Sequence, residues 1–204
     1  DEAGELSHIA QSWLWWLALA TIAMGTVGVV ASKDLRKLAA NLVIVSVGTL
    51  VALVAVQTVE ASSAAIYYLV HSTLVTAALF ILADLIGRQR GEIADRITAG
   101  PGVSQPKLLG ICFLIAGIAV IGMPPLSGFI GKVWLLKATL NAEYTFVFWP
   151  LYLLASLAIL IGVSKAGSTI FWHHQGKVTE SVGQERVHPA QLVALIILIS
   201  ASPL

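Results

Sequence analysis

Two side chains are placed where few proteins put ionisable groups. Lys132 closes the stretch Gly122-Met123-Pro124-Pro125-Leu126-Ser127-Gly128-Phe129-Ile130-Gly131-Lys132. That stretch lies in an apolar run from Leu108 to Leu140, which no charge enters before Lys132. An amine in such a setting can take up or release its proton as its neighbours change; a guanidinium, always protonated, cannot. His71 lies about seven residues into another apolar run, and an imidazole can relay protons at physiological pH. An ionisable residue at membrane depth points to function.

Each has a plainer reading. Lys132 could snorkel to a headgroup, but it stands about nine residues before Asn141, roughly 13 Å of helix and a long reach. Lys137, nearer the end, can snorkel. His71 could be a neutral imidazole bonded to a carbonyl or hydroxyl of a neighbouring helix. Ser72 and Thr76, four residues apart, could line one face with waters or bond back to their own helix. Asn41 and Ser46 read as glue between helices, with Ser46 also a candidate for the path. Asp84 can reach water or pair with Arg88 at i+4. His8, His173, His174 and His188 fall in loops or at boundaries. The His173-His174 pair has no further ligand at metal spacing, so no metal site is expected.

These residues need elements to hold them. Pro124 and Pro125 among three glycines break a helix, because proline lacks the N–H and clashes with the preceding turn. Backbone freed at that depth must find partners in neighbouring helices or line a wet cavity. A broken span with a Lys beside the break is how transporters build sites near the bilayer midplane.

The 204 residues are 57% hydrophobic and 11% charged, with mean hydropathy +0.87. Soluble domains carry about 25% charged residues, so this is an integral membrane protein. Its long apolar runs mean helices, since barrel strands would be short and alternating. The spans read as Trp13 to Val30, Leu38 to Val56, Ala64 to Ile86, the broken Leu108 to Leu140, Phe146 to Val163, and a truncated sixth from Pro189. Trp13, Trp15 and Trp16 suit a membrane interface. Gln57 to Ser63 reads as a short loop, Gly87 to Lys107 as a longer polar one, and Ala166 to His174 as able to extend the fifth helix. The single cysteine, Cys112, falls inside a span and excludes an internal disulfide. With no initiator Met, no signal peptide and a short final run, the chain reads as a fragment of something longer.

Loop charge orients the bundle. Lys33, Arg36, Lys37, Arg88, Arg90, Arg96, Lys107, Lys165, Lys177 and Arg186 all fall on one side. The other side holds Asp1, Glu2, Glu5, Glu60 and Glu143. By the positive-inside rule the basic loops are cytoplasmic and the N-terminus is outside. Of twelve Lys and Arg, only Lys132 and Lys137 lie within a span. No nucleophile–base set, phosphate-cradling loop, haem or quinone box is present, and no cofactor is implied. The pattern is that of a conduit for small cations and protons.

The Gly122-to-Lys132 stretch resembles the broken-helix motif of the antiporter-like membrane subunits shared by Mrp/Pha-type cation/proton antiporters and respiratory complex I. Tyr67-Tyr68-Leu-Val-His71-Ser-Thr-Leu-Val-Thr-Ala-Ala-Leu-Phe80 and Asp34-Leu-Arg-Lys-Leu-Ala-Ala40 resemble the same family. Lys132, where one complex I subunit type carries Glu, is similar to the D-type subunits of the antiporters. The resemblance covers essentially the whole chain. It implies a fold of about fourteen helices with two inverted five-helix repeats, this chain being a single membrane domain. Residues 13–163 would form the second repeat, and 164–204 a cytoplasmic loop with the start of the last helix. It further implies that Lys132 is the terminal proton-transfer lysine, facing the outer side, with the third span on a central hydrophilic axis. Thr76 stands where many members carry Lys, and Ser72 where many carry His, so that His71 is offset by one position. Many members also have His or Gln at Ser46, so water would bridge a thinner relay here.

The sequence thus predicts an all-α polytopic bundle, five spans plus a truncated sixth, in a bacterial inner (plasma) membrane. It would be a secondary transporter subunit rather than an enzyme, moving protons through Lys132 and His71 in a hetero-oligomeric Na⁺ or K⁺/proton antiporter. Ser72, Thr76, Ser46, Asp84 and Lys137 are candidates for the pathway, and Pro124, Pro125 and Gly128 make the break. The alternatives are a proton-pumping subunit of complex I or a related hydrogenase, and a non-conducting membrane scaffold.

Overall fold

The computed structural model describes residues 2–172 and 189–201. Its helices are α1 Glu2–Ala31, α2 Leu35–Val56, α3 Val59–Gln89, α4 Pro106–Ile121, α5 Ser127–Ala138, α6 Thr145–Phe171 and α7 Pro189–Ala201. Four of them contain segments long and apolar enough to cross a membrane: Gln11–Ala31, Leu35–Val56, Val59–Gln89 and Thr145–Phe171. With 16 and 12 residues, α4 and α5 are each short of the roughly 20 a full span needs. They lie on either side of the proline pair, where the sequence places the break in its fourth apolar run. The protein is a polytopic helical membrane bundle.

Several boundaries differ from the sequence reading, each for a local reason. The Gln57 to Ser63 loop shrinks to Gln57 and Thr58. Gln57 ends α2 in the left-handed region, at φ 57°, and the Thr58 hydroxyl caps α3 by accepting the Ala61 N–H at 3.1 Å. Glu60 therefore sits in the first turn of α3, where the helix dipole favours a carboxylate. The first span lies within a longer helix, α2 starts at Leu35, and α4 starts at Pro106, whose missing N–H costs nothing at a first turn. α6 runs on to Phe171, as the extension past Ala166 anticipated. Asp1, His173, His174, Lys177, Arg186 and His188 lie outside the described residues, as do the side chains of Glu2, Glu5 and His8.

Short turns make α1, α2 and α3 neighbours along the chain. α6 closes against α1, and α5 packs on α3. A Cβ at Gly48 would come within 2.9 Å of the Ile22 nitrogen, so α1 and α2 approach almost backbone to backbone there. The interior holds Trp15, Ile22, Leu42, Leu53, Leu82, Leu135 and Phe148, while Met24, Val27, Ile66, Leu154 and Ile161 are exposed. Apolar side chains face both inward and outward because the surrounding solvent is lipid.

The basic end of the bundle is tied. Leu35 N–H donates to Asp95 O at 3.0 Å, and Ile97 N–H to Lys33 O at 2.7 Å, flanking an antiparallel bridge between Asp34 and Arg96. Arg36 N–H donates to the Asp95 carboxylate at 2.8 Å. Asp84 takes Arg36 at 2.8 Å and Arg88 at 2.7 Å. Arg90 is buried and donates to the carbonyls of Pro101, Arg96 and Thr98. Burial draws the pKa of its guanidinium below the ordinary value, partly opposed by Asp95.

Candidate functional site at the helix break

α4 stops where Gly122 turns into the left-handed region, at φ 74°. The chain crosses Pro124 and Pro125 and resumes helix at Ser127. A helix that ends inside a bundle presents carbonyls without intrahelical partners and a partial negative charge. Here Ile118 O takes the N–H groups of Gly122 and Met123, at 3.0 and 3.2 Å. Two protonatable side chains take the carbonyls that follow. His71 Nε2 lies 3.2 Å from Ala119 O, and Lys132 Nζ donates to Ile121 O at 2.5 Å.

The hydrogen bonds assign the imidazole. A carbonyl only accepts, so Nε2 carries the hydrogen, and in the neutral ring Nδ1 accepts from the Ser127 hydroxyl at 3.0 Å. His71 is buried and bridges the last turn of α4 to the first residue of α5. Tyr67, also on α3, donates to Ser127 O at 3.3 Å.

Lys132 is half-buried. Its amine donates to the Ser156 hydroxyl at 2.9 Å and lies 5.8 Å from the centre of the Tyr152 ring, within cation–π reach. Tyr152 and Ser156 are four apart on α6 and so share a face. The amine is thus turned into the bundle rather than toward a headgroup.

Two glycines make room for this. A Cβ on Gly122 would lie 2.7 Å from Cδ of Lys132. A Cβ on Gly128 would collide with Ala119 O and lie 2.9 Å from His71 Nε2. Both approaches at Gly128 are closer than side chains tolerate, so only glycine allows α5 to begin against the end of α4.

Beyond Lys132 the polar groups continue toward α2. Tyr68 and Ser46 share a hydrogen bond of 3.3 Å. Ser46, Tyr68, Lys132, Tyr152 and Ser156 all border one cavity of about 20 Å³.

Of the residues predicted from sequence, His71, Lys132, Ser46, Gly128 and the proline break come together here. Ser72 and Thr76 are buried on α3 but turn back on their own helix, Ser72 to Leu69 O at 3.3 Å and Thr76 to Ser72 O at 2.6 Å. Asp84 lies in the ionic tie at the basic end. Lys137 is exposed at the other end, on a recess of about 410 Å³ that also borders Glu60, Asn141 and Glu143. Asn41 bonds Ser32 and Lys37 O beside α1. Sequence reasoning missed Ser127, Tyr152 and Ser156. The i, i+4 spacing of the last two was a usable signal, whereas nothing in the sequence says that α6 faces Lys132. Among the described residues there is no grouping of three or more His, Cys, Asp or Glu suited to a metal ion.

A family model described as NADH:quinone oxidoreductase/Mrp antiporter, TM, matches residues 3–163. The chain belongs to this family. The D-type subunit of a probable K(+)/H(+) antiporter from Rhizobium meliloti is 33% identical over 202 residues, covering 83% of this chain and 37% of that protein. The D-type subunit of the Na(+)/H(+) antiporter from Bacillus subtilis is also 33% identical, over 90% of this chain and 38% of that protein. Respiratory complex I from Thermus thermophilus with bound NADH contains a chain that superposes with TM-score 0.78 and 26% identity, over 96% of this chain and 40% of the other. The Mrp complex from Dietzia sp. DQ12-45-1b gives TM-score 0.73 at 20% identity, over 94% and 43%, a likeness of fold. This antiporter-family chain spans less than half the length of each. The matched segment, ending at 163 within α6, contains both halves of the broken span and every residue of the site.

Proposed function

We propose that this chain belongs to the proton-translocating membrane subunit of a multi-subunit monovalent cation/proton antiporter in a bacterial inner membrane. Residues 13–163 would serve as the second of two inverted five-helix repeats, with the N-terminal side of the chain outside. The observation that carries the reading is the pair of protonatable groups, Lys132 and His71, seated on carbonyls freed by the break in α4.

The surroundings suit both protonation states. As an ammonium, Lys132 is held by Ile121 O, the Ser156 hydroxyl and the negative end of α4. As an amine it still donates to Ile121 O and can accept the Ser156 hydroxyl proton. When His71 is charged both ring nitrogens donate, so the Ser127 hydroxyl turns from donor to acceptor. Both ring nitrogens and the Lys132 amine thus keep a hydrogen-bond partner as a proton comes and goes. Lys132 would exchange protons with the outer side, and His71 would hand them across the break from the α3 side. Other subunits of the complex and Na⁺ or K⁺ are the partners this reading entails.

The test is Lys132→Ala in the full-length complex reconstituted into vesicles, reading proton flux coupled to added Na⁺ or K⁺. Loss of coupled flux with the complex still assembled is the expected result; undiminished flux sinks the proposal. The superposition on a complex I chain at 26% identity favours a second reading, a proton-pumping subunit driven by electron transfer. Co-purifying subunits separate the two, since that reading requires quinone-oxidoreductase partners.

A further inference from the structure

We infer that the cavity bordered by Ser46, Tyr68, Lys132, Tyr152 and Ser156 binds a single water, and that Tyr152 positions that water as the third hydrogen-bond acceptor of the Lys132 amine. Three observations converge on it. Tyr152 is 2% exposed, and among the described residues its hydroxyl is a buried group with no hydrogen-bond partner. The Tyr68 and Tyr152 phenols interact, yet the Tyr152 hydroxyl has no partner at hydrogen-bond distance, while Tyr68 is engaged with Ser46 at 3.3 Å. The space these groups border measures about 20 Å³, above the ~10–15 Å³ that one water requires.

The hydrogen-bond inventory of Lys132 agrees. An ammonium has three donors, and two are taken by Ile121 O and the Ser156 hydroxyl. A buried water needs two to four polar partners, and this cavity offers the remaining amine N–H, the Tyr152 hydroxyl and the Tyr68–Ser46 pair. The Tyr152 ring is already fixed by its stack on Phe148, with centroids 5.5 Å apart and planes at 15°. A phenylalanine would make the same packing, so the hydroxyl is there for something other than fit. Bound in this way, the water joins the amine at the break to Ser46 on α2 without any side chain having to cross the gap.

The inference rests on the proposed role of Lys132, and its test keeps the two apart. In the full-length complex, a density map resolved to about 2 Å should show one water within hydrogen-bond distance of Lys132 Nζ and Tyr152 Oη. A cavity without it overturns the inference. Tyr152→Phe in the same complex gives an answer of opposite sign for the two cases. If the hydroxyl anchors a water, its removal lowers the melting temperature, erases the ordered density and slows coupled proton flux about five- to tenfold. If the cavity is dry, Phe merely deletes an unpaired buried hydroxyl, the melting temperature rises and flux is unchanged, which overturns the inference. Flux that survives Lys132→Ala while the water is present overturns the proposed function and leaves the water site standing.

Discussion

Gly128→Ala tests the geometry of the break directly. The added methyl would overlap Ala119 O and lie 2.9 Å from His71 Nε2, so something must move. Ala119 O is backbone at the end of α4, and the imidazole is held on its far side by Ser127. Neither can yield without loss. Overpacking of this kind costs about 1–3 kcal/mol. Displacing His71 leaves its ring N–H unpaired, at about 1–3 kcal/mol more, while Ala119 O keeps only the Gly122 N–H at 3.2 Å. Alanine returns about 1 kcal/mol of helix propensity. The net expectation is a loss of about 1–5 kcal/mol, read as a drop of several degrees in the melting temperature of the detergent-solubilised complex. Coupled proton flux should fall as well, at temperatures where the complex stays assembled. Gly110→Ala is the control, because its Cβ would meet nothing nearer than Phe171 Cδ1 at 3.5 Å; it should be neutral or slightly stabilising. If Gly128→Ala melts and conducts like the parent, α5 does not abut α4 as described and the His71 bridge is not a working part.

Ser156→Ala removes an acceptor from the Lys132 amine; we expect a loss of about 1–2 kcal/mol with assembly intact and slower flux, and unaltered flux would show that Ser156 is a bystander. Asp84→Asn breaks contacts to Arg36 and Arg88 that are one-third to one-half exposed, so thermal melts should shift by less than about 1 kcal/mol, and less again at high salt. Arg90→Lys cannot reproduce a fork that reaches three carbonyls and should cost about 2–4 kcal/mol, visible as faster proteolysis between Gly91 and Gln105. Because burial pulls the folded guanidinium below its ordinary value, any gain in stability as it sheds its proton falls at strongly alkaline pH. Melts from pH 6 to 9 should therefore show no slope that Arg90→Lys removes.

Much of the site could be read in the amino-acid sequence because membrane burial makes rare residues conspicuous. Lys132 and His71 stood out as ionisable groups in apolar runs, and the proline pair announced a break. What the sequence could not supply was direction. Thr76 and Ser72 occupy the same helix as His71 and looked equally able to serve, but hydroxyls on a helix find the carbonyl one turn back and need no neighbour. The i, i+4 spacing puts Tyr152 and Ser156 on one face of α6, but only the packing of α6 aims that face at the amine. Polarity alone extends the loop from Gln57 to Ser63, but capping decides where α3 begins. Thr58 starts the helix at once, and Glu60, Ser62 and Ser63 follow within it.

The tie at the basic end bears on where movement can occur. α3 is moored there through Asp84 and through the Asp95 segment that follows it, while its opposite tip is held by the tight corner at Gln57 and Thr58. A helix tied at both ends shifts less readily than a short one, so the imidazole rides on the steadier element. Opening or closing of the gap at Ala119 O then falls to the two stubs of the severed span. Under the proposed function, gating at this gap would swing α4 or α5 against the longer α3.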